Sequence, residues 1–262
     1  MSRRLSRIGA LTPLQQGLLT AVLLALALLL GSVLYLVLAL PGGWLTPQPR
    51  NLLERDIVVA RESVDEARAQ YGTGATPDGR TPYADAQARL VLARLDAGQV
   101  TRARRDGARL FKQFPDNPLV IYARARTLYA SESFEDAQGY VSLLFEQNGI
   151  LDGELLRSLF VLQAQLDEEA GRGADAFSNL MSAARIAPPS ASYFEEAGRV
   201  ALMRERFEDA TTAYLHARIY NPDSLAIANV LIGIRNRAPD AYARALDAVV
   251  EETGIALERL TP

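Results

Sequence analysis

The chain predicts an all-α protein, with one N-terminal transmembrane helix followed by a solenoid of about five helix pairs. Three observations carry that reading. Ala103, Ala137, Ala176 and Ala210 recur at steps of 34, 39 and 34 residues. Each is followed, roughly a helix length later, by a stopper: Pro115, Asn148-Gly149, Pro188 or Pro222. A small residue and a stopper in fixed phase mark a repeat of two antiparallel helices. Lastly, residues 18–40 read LLTAVLLALALLLGSVLYLVLAL without a charge, which is long enough to cross a hydrocarbon core of roughly 30 Å.

Composition narrows the function classes. The chain has 262 residues and a net charge of −3, and Lys112 is its only lysine. A slightly acidic chain without a basic excess speaks against nucleic acid as a partner. There is no cysteine, which excludes disulfides, thiolate nucleophiles and cysteine-held metals or haem.

The elements follow in order. Residues 1–17 carry Arg3, Arg4 and Arg7 with no acid, whereas Arg50 and Arg55 beyond the apolar run are mixed with Glu54 and Asp56. The positive-inside rule then puts the N-terminus in the cytoplasm and the rest outside. The 18–40 run exceeds a signal-peptide core of about 7–15 residues and ends at Pro41, so a retained anchor is expected over a cleaved leader. Tyr35 and Trp44 suit an interfacial belt. Ala27 and Gly31 form a small-xxx-small pair that permits close helix pairing.

Residues 41–50, PGGWLTPQPR, form a linker that cannot continue a helix. A helix over 51–71 starts at Asn51, with Glu54 placed to complete a capping box. Its Leu53, Ile57, Ala60, Val64, Ala67 and Tyr71 make one apolar stripe, expected to lie on the first repeat. A homodimer through 18–71 is the alternative. Residues 72–81 are a loop rich in glycine and turn formers.

Thr81-Pro82 opens the repeat domain, 82–258, with the hydroxyl as cap and proline at the first helical position. The first pair spans 82–97 and 100–113. In the second, Pro118 opens one helix and the other starts near Ser133. The third, about 153–187, turns at Gly171-Arg172-Gly173. The fourth runs to Tyr220 from a Ser192/Glu195 capping box. The fifth, about 224–252, turns at Ala238-Pro239-Asp240.

These units resemble tetratricopeptide repeats. The fourth is the best match: Phe194, Ala197, Gly198 and Ala201 fall in the first helix, then Phe207, Ala210, Tyr214, Ala217 and Pro222. The second fits through Ile121, Ala125, Leu128, Phe134, Ala137, Val141, Leu144 and Gly149. The third fits through Phe160, Ala164, Gly171, Ala176, Leu180, Ala183 and Pro188, with Ile150 to Gly153 as part of an insertion that accounts for the step of 39. The first departs at Gly107, where the pattern has an aromatic. The fifth reads as a C-terminal cap with a polar outer face.

Little in the chain suggests catalysis. His216 is the only histidine, with no carboxylate at i±3 or i±4 to share a metal, and reads as a partly exposed helix residue. The pairs Glu168-Glu169, Glu195-Glu196 and Glu251-Glu252 diverge by about 100° on a helix and read as solvated faces. The loop GTGATPDGR has no phosphate-binding lysine. No enzyme, metal or cofactor is expected. Arg102, Arg104, Arg105 and Arg109 could attract anionic lipid, but with Asp106 on their helix and Asp96 beside it they read as an ordinary charged face.

The resemblance implies a protein-binding groove lined by the first helix of each pair. Carried over, its positions are Tyr122, Arg126 and Tyr129; Val161, Gln165 and Glu168; Glu195, Arg199, Leu202 and Met203; and Asn229 and Arg237. A mix of tyrosine, arginine and methionine suits a protein interface. The lysine- and asparagine-built clamp that some relatives use for C-terminal carboxylates is not reproduced. The expectation is a scaffold or assembly factor in a bacterial inner membrane, its groove facing outward and holding a peptide or helix of an envelope complex. One anchor followed by a repeat domain is similar in architecture to CcmI/CycH-type cytochrome c maturation factors. A fixed subunit of a secretion, respiratory or wall-synthesis complex is the other reading.

Overall fold

The computed structural model describes residues 50–75, 81–147 and 151–260. The expected tail, anchor and most of the linker lie outside the described residues, as do Asn148-Gly149 and Ile150. Among the described residues no helix is long and apolar enough to cross a membrane.

The described residues form twelve helices. The first, α1 (Arg50–Tyr71), precedes five antiparallel pairs: α2 (Pro82–Asp96) with α3 (Val100–Gln113), α4 (Pro118–Tyr129) with α5 (Phe134–Glu146), α6 (Gly153–Glu169) with α7 (Gly173–Arg185), α8 (Ala191–Met203) with α9 (Phe207–Tyr220), and α10 (Leu225–Arg237) with α11 (Pro239–Thr253). A short α12 (Leu257–Leu260) is the last helix of the described residues, with Leu260 buried in the last core cluster.

One backbone device sets the hand of four of the five turns inside the pairs. Gly98, Glu132, Gly171 and Glu205 all sit in the left-handed region, at φ of 73°, 59°, 73° and 57°. They repeat the alanine phase, since each stands five residues before Ala103, Ala137, Ala176 or Ala210. The N–H that follows each one reaches back to the first helix: Gln99 to the Arg94 carbonyl, Ser133 to Leu128, Arg172 to Asp167 and Arg206 to Ala201. This is the Schellman arrangement, which favours glycine at the left-handed residue. Two units meet the preference and two place an exposed glutamate there. The fifth pair turns differently, with Ala238 ending α10 and Pro239 opening α11.

The four phase-marking alanines are fully buried. A small residue there lets the two helices of a pair approach closely. Gly198 is the extreme case, because a Cβ on it would come within 2.6 Å of the Tyr214 ring. The core runs in successive clusters, as a solenoid requires. Ala88, Val91, Leu110 and Val120 anchor the first unit, Ile121, Leu128, Val141 and Leu162 the second and third, and Leu180, Phe194, Leu215 and Leu231 the remainder. Ile57 and Val64 of α1 pack on Ala86 and Leu90 of α2, flanked by Ala60 and Ala67. Tyr71, counted in the same stripe, is exposed instead, as are Leu52, Val58 and Val59.

A polar pair recurs at one register. In the first unit Arg94 meets Asp106 at 2.5 Å, and in the third Asn179 donates to Asp167 at 2.8 Å, each pair twelve residues apart across the helix hairpin. Asp167 is fully engaged, since Arg172 and Gln163 also donate to it. The equivalent positions are Leu128 and Tyr140 in the second unit, and Ala201 and Ala213 in the fourth.

Several local expectations are corrected. The first helix already includes Arg50, so Asn51 is not its start. Thr81 stands at the cap position, but its hydroxyl accepts from Asn117 Nδ2 at 2.7 Å and makes no cap bond. Asn117 itself caps α4 through the Val120 N–H and also donates to Asp85, tying the starts of α2 and α4 together. The cap position of α8 is Ser190, which leaves Ser192 inside the helix and dissolves the Ser192/Glu195 box. The insertion behind the step of 39 is mostly helical. Cap to left-handed residue spans 15 residues from Asn117 to Glu132 and from Ser190 to Glu205, but 19 from Asp152 to Gly171. One extra turn at the start of α6 accounts for the difference, with Asp152 capping it through the Leu155 N–H.

Candidate protein-binding groove

The first helices of successive pairs present the expected groove positions, and ion pairs and hydrogen bonds link them from helix to helix. Asp96 at the end of α2 pairs with Arg126 of α4 at 3.7 Å. Tyr129, one turn beyond, faces Glu168 and Glu169 of α6. Glu168 then meets Arg204, just past α8, at 3.4 Å. On α8, Arg199 is hydrogen-bonded to Glu196, and its guanidinium lies 3.4 Å from the Met203 sulfur. The result is a half-exposed strip of alternating sign, Asp96, Arg126, Glu168, Arg204, running across four units.

Charges in this strip respond to its partial burial. Burial first, then the Glu169 carboxylate, raises the Tyr129 phenol, and burial raises Glu195. Asp96 is pushed up by burial and pulled back by Arg126. Arg199 is raised chiefly by its hydrogen bond to Glu196. Tyr214, beneath the strip, is pushed up to about 12 by burial and then by Glu195.

The other positions divide by exposure. Met203, Asn229 and Arg237 are open to solvent, with Met203 at 60%. Val161, Gln165 and Leu202 are half-buried, and the Gln165 side-chain oxygen is buried with no hydrogen-bond partner. Arg237 turns toward the fourth unit's hairpin, stacking over Phe207 at 5.3 Å and approaching Glu205 at 4.0 Å. Tyr122 is a correction. It is buried in the second core cluster, with its hydroxyl near Ser158, because its place on α4 points between units and away from open solvent.

His216 is a second correction. It is buried, lies nearly parallel to Phe194 at 5.2 Å, and stands 3.3 Å from a Glu252 carboxylate oxygen. Glu252 lies on α11, beyond any local spacing on α9, and it also holds Arg185 of α7 at 3.2 Å. Burial pushes the imidazole below its usual range despite the carboxylate. Among the described residues no group of three or more His, Asp or Glu could hold a metal ion.

Sequence reasoning missed Asp96, Glu169 and Arg204. All three fall in the last turn of a first helix or just past it, a position that the alanine phase could have marked.

Solved structures share this architecture. The chain superposes on BtubC (BKLC) from P. vanneervenii with a TM-score of 0.54 at 16% identity, over 79% of this chain and 90% of that one. PilF of Pseudomonas aeruginosa gives 0.50 at 14% identity, over 81% and 97%. A chain of the APC/C hetero-tetramer Cut9-Hcn1 gives 0.50 at 13%, over 84% of this chain and 42% of its own length. The fold is a tetratricopeptide-repeat-like solenoid. At these identities the likeness speaks for the fold alone. No family model matches the chain, and no curated protein does either. Such a fold is built from stacked units that present one extended face.

Proposed function

We propose that this protein is a membrane-anchored, extracytoplasmic protein-binding scaffold or assembly factor for an envelope complex. It holds a peptide or helix of its partner along the strip from Asp96 to Arg204. The observation that carries the binding site is the strip itself. It offers arginine, tyrosine and methionine side chains that are half-buried or open, together with a buried acceptor on Gln165 that has no partner. A segment that packs on the exposed Met203 gains from its adaptable thioether. The anchor and its orientation are supported by the uncharged 18–40 run and the arginines that precede it. A CcmI/CycH-type role in cytochrome c maturation is a narrower form of the same reading and rests on the anchor-plus-repeat architecture. We propose binding without turnover.

Two experiments test this. A reporter active only outside the cytoplasm, fused after Pro262, should be active; activity from a cytoplasmic reporter alone sinks the envelope reading. A photo-crosslinker at Met203 or Gln165 in native membranes should capture a partner. Arg126→Ala with Arg199→Ala should then lower the yield at least tenfold while helicity is retained. Capture that ignores both substitutions places the interface elsewhere.

A further inference from the structure

The first unit gathers four guanidinium groups from two helices around one carboxylate. Asp106 of α3 is buried and holds Arg94 of α2 at 2.5 Å. Around it stand Arg109 at 3.3 Å, Arg105 at 3.7 Å and Arg102 at 4.0 Å. Arg61 of α1 acts on Arg94 as well. Burial, then the charges of Arg102, Arg61 and Arg109, hold the Arg94 guanidinium below its usual range, while Asp106 pulls it back.

The tertiary structure changes the charge balance of this face. The side chains of Arg102, Arg105 and Arg109 are 52%, 76% and 70% exposed, so their charge reaches solvent. The two acids that seemed to offset them do not face out with them. Asp106 points inward and is already paired with the buried Arg94, and Asp96 is turned to Arg126 in the groove. One buried carboxylate under four arginines, three of them open to solvent, leaves a positive surface. Arg102, Arg105 and Arg109 follow one another at i, i+3 and i+7, so α3 presents them along a single face.

We propose that this arginine patch docks on the anionic headgroups of the membrane that holds the 18–40 anchor. The proposal rests on the anchor reading. Its occupant is chosen by tethering: only residues 41–49 separate the apolar run from α1, and nine residues reach about 32 Å at most. A patch tethered through that short linker and α1 meets the bilayer at raised effective concentration, so weak single contacts suffice. Guanidinium forks match phosphate oxygens, and a leaflet of anionic lipid attracts each arginine near its surface. The first unit would then lie against the membrane and leave the strip from Asp96 onward for the partner.

The test uses the full chain in lipid nanodiscs. The protein has no cysteine, so Gln113→Cys, one turn beyond Arg109 and exposed, carries a unique fluorophore. Quenching by headgroup-spin-labelled lipid reports contact. Quenching is expected in discs containing anionic phosphatidylglycerol and not in neutral phosphatidylcholine discs, and salt at about 0.5 M should abolish it. Replacing Arg102, Arg105 and Arg109 with Gln should weaken docking roughly 100-fold, at about fivefold per arginine. Replacement of the same three with Lys keeps the charge and should keep the contact, which separates docking from any loss of folding. Equal quenching in both discs, or quenching that survives the Gln variant, overturns the proposal. If the chain fails to enter neutral discs, the anchor reading falls; labelled protein added to anionic vesicles then still decides the patch, with salt-sensitive quenching in its favour and none against it.

Discussion

Gly198→Ala should destabilise the fourth repeat, although alanine is the better helix former. Within α8 the exchange gains about 0.8–1.0 kcal/mol of intrinsic helix propensity. Against that, the new Cβ would lie 2.6 Å and 2.7 Å from two carbons of the Tyr214 ring and 3.0 Å from a third. Real Cβ contacts do not come this close, and Tyr214 is buried between α8 and α9. Forcing a methyl into packed interior costs about 1–3 kcal/mol, so the steric effect wins by about 1 kcal/mol. In a domain of this size that lowers Tm by about 2–4 °C. Stacked repeats need not unfold as one unit, so amide exchange across α8 and α9 is the sharper assay and should quicken there first. Tyr214→Leu in the same chain removes the ring and should make the two costs strongly non-additive. Gly139 in α5 and Gly233 in α10 serve as controls, because nothing lies within 4 Å of a Cβ at either. Alanine at those sites should stabilise by up to about 1 kcal/mol. A Gly198→Ala protein as stable as the parent, with unchanged exchange in α8, would refute close approach as the reason for the glycine.

Three further outcomes follow from the same geometry. Glu132→Gly should stabilise by about 0.5–1 kcal/mol in urea unfolding, because a left-handed conformation costs an L-residue about 1–2 kcal/mol and glycine regains most of it; Gly98→Ala should have the opposite sign. Asp106→Ala leaves Arg94 charged and buried and should cost about 3 kcal/mol, whereas Gln at exposed Arg105 should change urea stability by less than about 0.5 kcal/mol. His216 is held below its ordinary value of 6.5 in the folded state. The unfolded chain therefore binds the proton more readily, and stability falls as pH drops below about 6.5. His216→Gln should flatten that part of a Tm-against-pH profile, and an unchanged slope would exclude His216 as its source.

The helix pairs were legible because their signals are local and repeated. An alanine that must sit between two helices, a glycine at a left-handed turn and a proline past a helix end each constrain the backbone within a few residues. Where the signal was ambiguous, the reading slipped by the same logic. Ser190 and Ser192 are both plausible caps, and only the approach of the preceding chain selects the first. The five extra residues between Ala137 and Ala176 look alike in a string whether they lengthen a loop or add a turn to α6. Part of the groove was legible too, since a fixed phase assigns a face to each position. Tyr122 failed because one step around a helix separates open surface from the contact with the next unit.

By itself, then, the sequence determined the period, the helix pairs and an apolar run that predicts an anchor, all of which depend on spacing along one chain. The tertiary structure alone decided how charges and rings meet across helices. It turned Asp106 inward under four arginines, buried His216 between Phe194 and Glu252, and joined Asp96, Arg126, Glu168 and Arg204 into one strip. Those partners lie up to 36 residues apart, and whether a charge is exposed or paired depends on packing between units, which no local spacing records.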